Sequence, residues 1–330
     1  MKRSKKRRHV AQHAKPQDIA AYNKSNDKYG MIRVMAGCVM TVSLLYIGST
    51  LIGSAMSNKT SAELSAMHSD GMMQETVVIE PELPVEVTYI PSENEEPDFE
   101  IIDFEDDNRV MLPAMQNIYA ANPDTVGWIS VPNTKVDYPV VQTTDNEFYL
   151  SHDFYKAASQ PGTIFADHRA VVNDYDAFQS DVITLYGHKQ YDNTMFGSLH
   201  NYHNNLTFYK ENPTFVFSNL YDIYVYKIVS IFLCKTDDSW LKPDEEVFDF
   251  QNYIEFDDSR SYDKFVSNIK QRSEINIDVD IEPTDKFMML STCAYEYKGA
   301  RFVVVGRRVR DDESTIVDTS SAVKNENRLE

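Results

Sequence analysis

Apolar and polar positions alternate in short stretches through the second half of the chain. Eight β-type runs stand out: Gly127–Val131, Val136–Gln142, Gly162–Ala166, Asp181–Tyr186, Thr214–Ser218, Tyr221–Leu233, Lys286–Leu290 and Arg301–Val309. Turn residues such as Pro132-Asn133 and Asn219 separate them. Two stretches keep helical spacing instead. Leu112, Met115 and Tyr119 recur at that period before Asn122-Pro123 stops the run, and Phe265, Val266 and Ile269 make one apolar face over Tyr262–Arg272. Many short strands with few helices predict a mainly β domain, a barrel or sandwich with helical insertions. Its expected limits are residues 106–310, and no internal repeat is visible.

The N-terminal third has another pattern. Val34 to Met56 reads VMAGCVMTVSLLYIGSTLIGSAM, 23 residues without a charge. At about 1.5 Å per helical residue this is long enough for roughly 30 Å of hydrocarbon. Residues 1–33 carry ten Lys or Arg against Asp18 and Asp27. That basic arm predicts a cytoplasmic N-terminus, with the bulk of the chain outside. A cleaved signal peptide competes, since Gly53-Ser54-Ala55 offers small residues, but its apolar core is usually shorter, about 7–15 residues. An uncleaved transmembrane signal anchor over 34–56 is the expectation. Residues 57–105 are rich in Ser, Glu, Asp and Pro, and ENEEPDFEIIDFEDD is strongly acidic. They predict an extended, self-repelling extracellular linker, with an acidic binding tail as the alternative. The last residues, 311–330, are polar and expected to be disordered.

Charge sharpens this division. The whole chain has a net charge of −19, and outside the basic arm 22 basic residues face 49 acidic ones, a net of −27. A basic arm followed by an acidic body could belong to a nucleic-acid binder, but an arm abutting an apolar span reads more simply as a membrane orientation signal, with no nucleic-acid partner.

Of three cysteines, Cys38 lies in the apolar span, which leaves Cys234 and Cys293 for the domain. Two external cysteines are not a disulfide framework, although one Cys234–Cys293 bridge remains open. Cys293 closes the run Phe287-Met288-Met289-Leu290-Ser291-Thr292, and period two puts Met289, Ser291 and Cys293 on one face. The following AYEYKG reads as a loop, and Arg301 opens the next strand. A hairpin would set Cys293 beside Arg301 at one rim of the sheet; a buried structural cysteine and a solvated strand-end arginine are the plain alternatives. Leu185-Tyr186-Gly187-His188 brings a histidine off the end of a β-run, with Gly187 permitting a turn. His200 and His203 have a spacing that could hold a metal, but no carboxylate or cysteine lies near them in sequence, and neither metal nor cofactor is expected.

A thiol, an imidazole and a guanidinium suffice for acyl transfer. A free thiol of pKa about 8.5 is only a few per cent thiolate at neutral pH, and a nearby cation raises that fraction. The imidazole can protonate a leaving amine and the guanidinium can stabilise an oxyanion. No G-x-S-x-G elbow, P-loop or Rossmann glycine pattern is present, and only 11 glycines are available for such folds.

LSTC followed by an arginine opening RFVVV, with LYGH upstream, resembles the sortases, specifically class B. The resemblance runs from near Asn108 to Val309 and includes DNEFYLSHDF, PGTIFADHR, LYGHKQYDNTMFGSL and SEINIDVDIEPTDKFMMLSTC. It implies an eight-stranded β-barrel with an N-terminal helix and a helical insertion between late strands. It implies Cys293 as nucleophile, His188 as acid/base and Arg301 as the oxyanion residue. Ser291, Leu150, Thr236, Trp240, Leu241 and Asn146 match positions that line the substrate groove. Eight positions separate Cys293 from Arg301, where some class B members have a longer substrate-contacting loop. The implied reaction cleaves a Pro-x-Thr-type sorting signal of surface proteins through a Cys thioester. The acyl group then passes to a peptidoglycan amine at the outer face of the cell membrane of a Gram-positive cell. A secreted cysteine peptidase and a non-catalytic surface protein with a structural Cys293 are the alternatives.

Overall fold

Strand-forming runs become strands where alternate residues find a core. The computed structural model describes residues 39–41, 43, 55–72, 109–175, 178–235, 247–293 and 299–329. Eight strands close a barrel: β1 (Thr125–Ser130), β2 (Asp137–Val141), β3 (Phe165–Ala166), β4 (Val182–Tyr186), β5 (Thr214–Ser218), β6 (Ile223–Cys234), β8 (Phe287–Cys293) and β9 (Arg301–Arg308), in the order β1-β2-β3-β4-β8-β9-β6-β5. Each expected run is one of these strands, so the barrel alternative holds over the sandwich. The contacts β2–β3 and β4–β8 are parallel and the rest antiparallel.

Alternation assigns the faces. Ile129, Val140, Ala166, Leu185, Phe215, Ile228, Leu290 and Val304 come from all eight strands and fill the interior. Phe287, Met289, Val303 and Val305 point outward, where helix α4 (Ser259–Arg272) covers them with Phe265 and Ile269. Asp258 caps α4 by accepting from Ser261 N–H at 2.8 Å, and Ser261 Oγ reciprocates toward the Asp258 main chain. The insertion between β6 and β8 thus becomes a lid for the outer face that ends at Cys293. Two further helices are α2 (Pro113–Ala121), with Pro113 in its first turn, and the short α3 (Leu206–Glu211).

Two expectations about the flanks are corrected. The linker was expected to be extended from residue 57, but residues 55–72 form a helix, α1. Leu64 joins Met115, Ile118 and Trp128 in a third core cluster. Ser65 Oγ donates to Asp137 Oδ2 at 2.9 Å, and His68 stacks on Trp128 at 4.3 Å. Gly71 lies so close to α2 that a Cβ there would stand 2.3 Å from Ala114 Cα. Residues 57–72 are therefore part of the folded domain and not of an extended linker. The tail was expected to be disordered, but residues 310–329 run back over the barrel. Ala322 enters the core, and β10 (Val323–Lys324) pairs with β7 (Ile275–Asn276). Glu313 holds Arg307, an arginine with no exposed surface, together with Lys227. Residues 56–330 make one compact unit, wider at both ends than 106–310.

The basic arm, nearly all of the Val34–Met56 run and residues 73–108 lie outside the described residues. Among the described residues no helix is long and apolar enough to cross a membrane.

Candidate active site

Cys293 ends β8 and pairs directly with Arg301, the first residue of β9, as the hairpin expectation required. Opposite residues of an antiparallel pair share a face, so thiol and guanidinium emerge on the same outer side, both half-buried. On the other side of β8, the parallel register pairs Tyr186 with Ser291, and Gly187 N–H extends it by donating to Ser291 O at 3.2 Å. Two residues further on, the register brings His188 abreast of Cys293. Four adjacent strands thus end in one row: His188, Cys293, Arg301 and Cys234, the last paired with Arg301 from β6.

Gly187 has a different purpose from the turn expected of it. Its φ is not in the left-handed region, but a Cβ would stand 2.4 Å from Ile164 Cδ1 and 2.8 Å from Phe196. The glycine lets the strand end press onto the barrel. His188 is then fixed from two sides. Its carbonyl accepts from Phe196 N–H at 3.0 Å, and its Nε2 lies 2.8 Å from Leu150 O. A carbonyl only accepts, so Nε2 carries the hydrogen and Nδ1 is the nitrogen left for proton transfer. Leu150 ends the 3₁₀ turn Phe148–Leu150, and Gly162, at φ +63°, packs so close to it that a Cβ would meet Tyr149 O at 2.5 Å and Leu150 O at 3.0 Å.

A cavity of about 260 Å³ opens beside this row. Cys293, His188, Arg301, Ser291, Leu150 and Asn146 all line it, so six of the nine residues singled out in the sequence meet around one space. Ser291 Oγ is buried there without a hydrogen-bond partner among the described residues. Thr236, Trp240 and Leu241 lie outside the described residues. Cys234 and Cys293 are both free thiols, so the disulfide alternative falls. Cys234 is buried, and burial pushes its thiol up to about 11 against the pull of Arg272.

Sequence reasoning missed the opposite wall. Asp167, at the end of β3, is fully buried and accepts from Arg169 Nε and NH2 (both 2.9 Å), Tyr186 Oη (3.0 Å) and Asn146 Nδ2 (3.1 Å). Burial pushes this carboxyl up, but the hydrogen bonds from Arg169 and Tyr186 outweigh it and hold it at about 2. Burial, seconded by the Asp167 charge, raises the Tyr186 hydroxyl above the ordinary tyrosine range. The signal available was the Asp167-His168-Arg169 spacing, but the partners of Arg169 on the insertion are 82 and 83 residues away. His200 and His203 lie away from this cavity, and His203 Nδ1 meets Glu274 Oε1 at 2.7 Å, a carboxylate that only the fold brings near. Among the described residues no group of three metal-ligating side chains occurs.

The Sortase domain family model matches residues 129–309. Sortase B of Staphylococcus aureus is 33% identical over 200 residues, 60% of this chain and 75% of that protein. Sortase B of Listeria monocytogenes serovar 1/2a is 28% identical over 197 residues, 59% of this chain and 74% of that protein. A solved Staphylococcus aureus sortase B–substrate complex aligns with a TM-score of 0.59 at 25% identity, over 79% of this chain and 100% of that one. With a family match over more than half its length and relatives of one class sharing its closed barrel, the chain belongs to the sortase family of cysteine transpeptidases, class B.

Proposed function

We propose that this sortase cleaves a Pro-x-Thr-type sorting signal of surface proteins through a thioester on Cys293 and transfers the acyl group to a peptidoglycan amine. The observation that carries the reading is the row His188–Cys293–Arg301 at the mouth of one cavity. The Cys293 thiolate attacks the Thr carbonyl carbon. A C–S bond forms, and the developing oxyanion is met by the Arg301 guanidinium. Collapse breaks the peptide C–N bond, and His188 gives its Nδ1 proton to the leaving amine. Because Nε2 is tied to the Leu150 carbonyl, this acid is the doubly protonated ring, paired with the thiolate. The neutral ring then takes a proton from the incoming amine, whose nitrogen displaces the sulfur. Ser291, Leu150 and Asn146 would contact the signal along the groove, with Thr236, Trp240 and Leu241 completing it.

The setting follows from the sequence. The basic arm 1–33 and the apolar run Val34–Met56 support a single-pass anchor, N-terminus inside, that holds the catalytic domain outside the cell. The direct test incubates the domain, residues 56–330, with a panel of sorting peptides and looks for a thioester on Cys293 by mass spectrometry. An adduct on that residue is expected; turnover of a peptide without any Cys293 adduct would overturn the mechanism.

A further inference from the structure

Arg169 has no part in the acyl transfer, yet it lines the cavity beside Cys293. Its guanidinium forks onto both oxygens of Asp167, and its remaining donors cross to the insertion: NH2 to Gln251 O at 2.5 Å and NH1 to Asn252 Oδ1 at 3.3 Å. Asp167 cannot follow if Arg169 moves, since it is buried and also held by Tyr186 and Asn146. The fork therefore fixes the turn Phe250–Asn252 against the barrel. From that turn the half-buried Gln251 lines the cavity; its main-chain oxygen is taken by Arg169, and its carboxamide makes no hydrogen bond among the described residues. A carboxamide presents a donor and an acceptor side by side, the pattern that pairs with another amide group.

We propose that Gln251 is a specificity-determining residue that hydrogen-bonds an amide group of the bound peptide, and that the Asp167–Arg169 fork is the positioning device that holds it over the groove. The inference rests on reading the cavity as the sorting-signal site. The amide recognised is either a main-chain peptide group or a side-chain carboxamide, and the chemistry at Gln251 is the same for both.

The test measures acylation kinetics of wild type, Gln251→Ala, Arg169→Lys and the double variant on one accepted sorting peptide. Alkylation of Cys293 by iodoacetamide reports whether the thiol's surroundings are intact. Loss of one or two hydrogen bonds is expected to raise KM about tenfold in Gln251→Ala, with little change in kcat. Arg169→Lys keeps the charge but loses the fork, and is expected to raise KM similarly. Because Arg169 acts through Gln251, the double variant is expected to match Gln251→Ala alone. Peptides N-methylated at single positions, and peptides with single side chains cut to Ala, identify the amide: the Gln251→Ala penalty disappears on the peptide that lacks it. An unchanged KM in Gln251→Ala overturns the assignment, and full additivity overturns the role of Arg169. Both outcomes are distinct from failure of the proposed function, in which wild type forms no thioester with any peptide while iodoacetamide still modifies Cys293.

Discussion

Cys234 and Cys293 flank Arg301 in one row of the sheet but meet different surroundings. Cys293 is half-buried at a cavity mouth, whereas Cys234 is buried with its S–H toward Phe248 O at 3.3 Å. Alkylation followed by peptide mapping is expected to label Cys293 first. Cys293→Ala is expected to abolish thioester formation, and Cys234→Ala to keep it at a stability loss of about 1 kcal/mol. Equal loss of acylation in both variants would count against Cys293 as the sole nucleophile. Two arginines of β9 separate in the same way. Arg301 makes no ion pair among the described residues; its one hydrogen bond there is to Ala300 O at 3.4 Å. Arg301→Ala is expected to lose roughly 10²–10³ in acylation rate while staying folded, with partial rescue by Lys. Arg307 has no exposed surface and binds Glu313 close to Asp285. Arg307→Ala removes one buried partner from each carboxylate, leaving Glu313 to Lys227 and Asp285 to the Arg310 fork, so about 1–3 kcal/mol of stability is expected to go, with no specific effect on chemistry. Pre-steady-state acylation and thermal unfolding of the two variants decide this. A folded Arg301→Ala enzyme acylating at the wild-type rate would remove it from the mechanism.

Elements show why some features could be read from the sequence and others could not. The barrel strands carry their own signal, because Phe302 and Val304 enter the interior while Val303 and Val305 meet α4, a period visible in one strand. The hairpin that joins Cys293 to Arg301 is local for the same reason. Helix α1 shows little apolar periodicity: Leu64 is buried and Met67 partly so, while docking relies on Ser65, His68 and a glycine. The tail was misread because its fixed points are single residues with remote partners, Glu313 on Arg307 and Asn325 N–H on Glu274 O at 2.9 Å. The Arg169 wall needs two segments that only folding brings together. Gly71→Val is expected to destabilise the domain by about 1–3 kcal/mol, seen as a lower Tm, because a side chain would drive α1 off α2. An unchanged Tm would mean that the contact contributes nothing. Acid is expected to loosen the Asp167 anchorage of the insertion. The Asp167 pKa is depressed to about 2, so its stabilisation is full above the unfolded value and is lost as pH falls toward 2. The drop from the ordinary carboxylate value corresponds to about 2 kcal/mol at neutral pH. Thermal unfolding of wild type and Asp167→Asn is expected to differ at pH 6, the gap narrowing below about pH 4 and closing only as pH approaches 2. A gap independent of pH would assign the loss to shape and not to charge.

For the whole molecule, a transpeptidase must hold an acyl-enzyme against water long enough for an amine to arrive. The fold makes this problem explicit. Cys293 is half-buried at the outer face of the barrel, and its cavity of about 260 Å³ lies between the strand ends and the insertion that Arg169 ties down. Water can reach a groove of this kind, so selectivity depends on how slowly the thioester hydrolyses when no amine is present. An occupied groove, with peptide paired along the insertion wall, leaves less room for water at the thioester carbon. In the proposed mechanism His188 must also be neutral at the second step, because only then can Nδ1 take the proton of the attacking amine. A protonated ring would leave that ammonium poorly reactive. Hydrolysis in the absence of acceptor is therefore expected to be slow. Short peptides that mimic cell-wall cross-bridges are expected to divert product from acid to amide in proportion to their concentration, with the thioester as common intermediate. Quenched-flow mass spectrometry of the Cys293 adduct, with and without amine, measures both branches. If the adduct decays at the same rate whatever cross-bridge amine is supplied, and only acid is released, the acceptor assigned to this sortase is wrong.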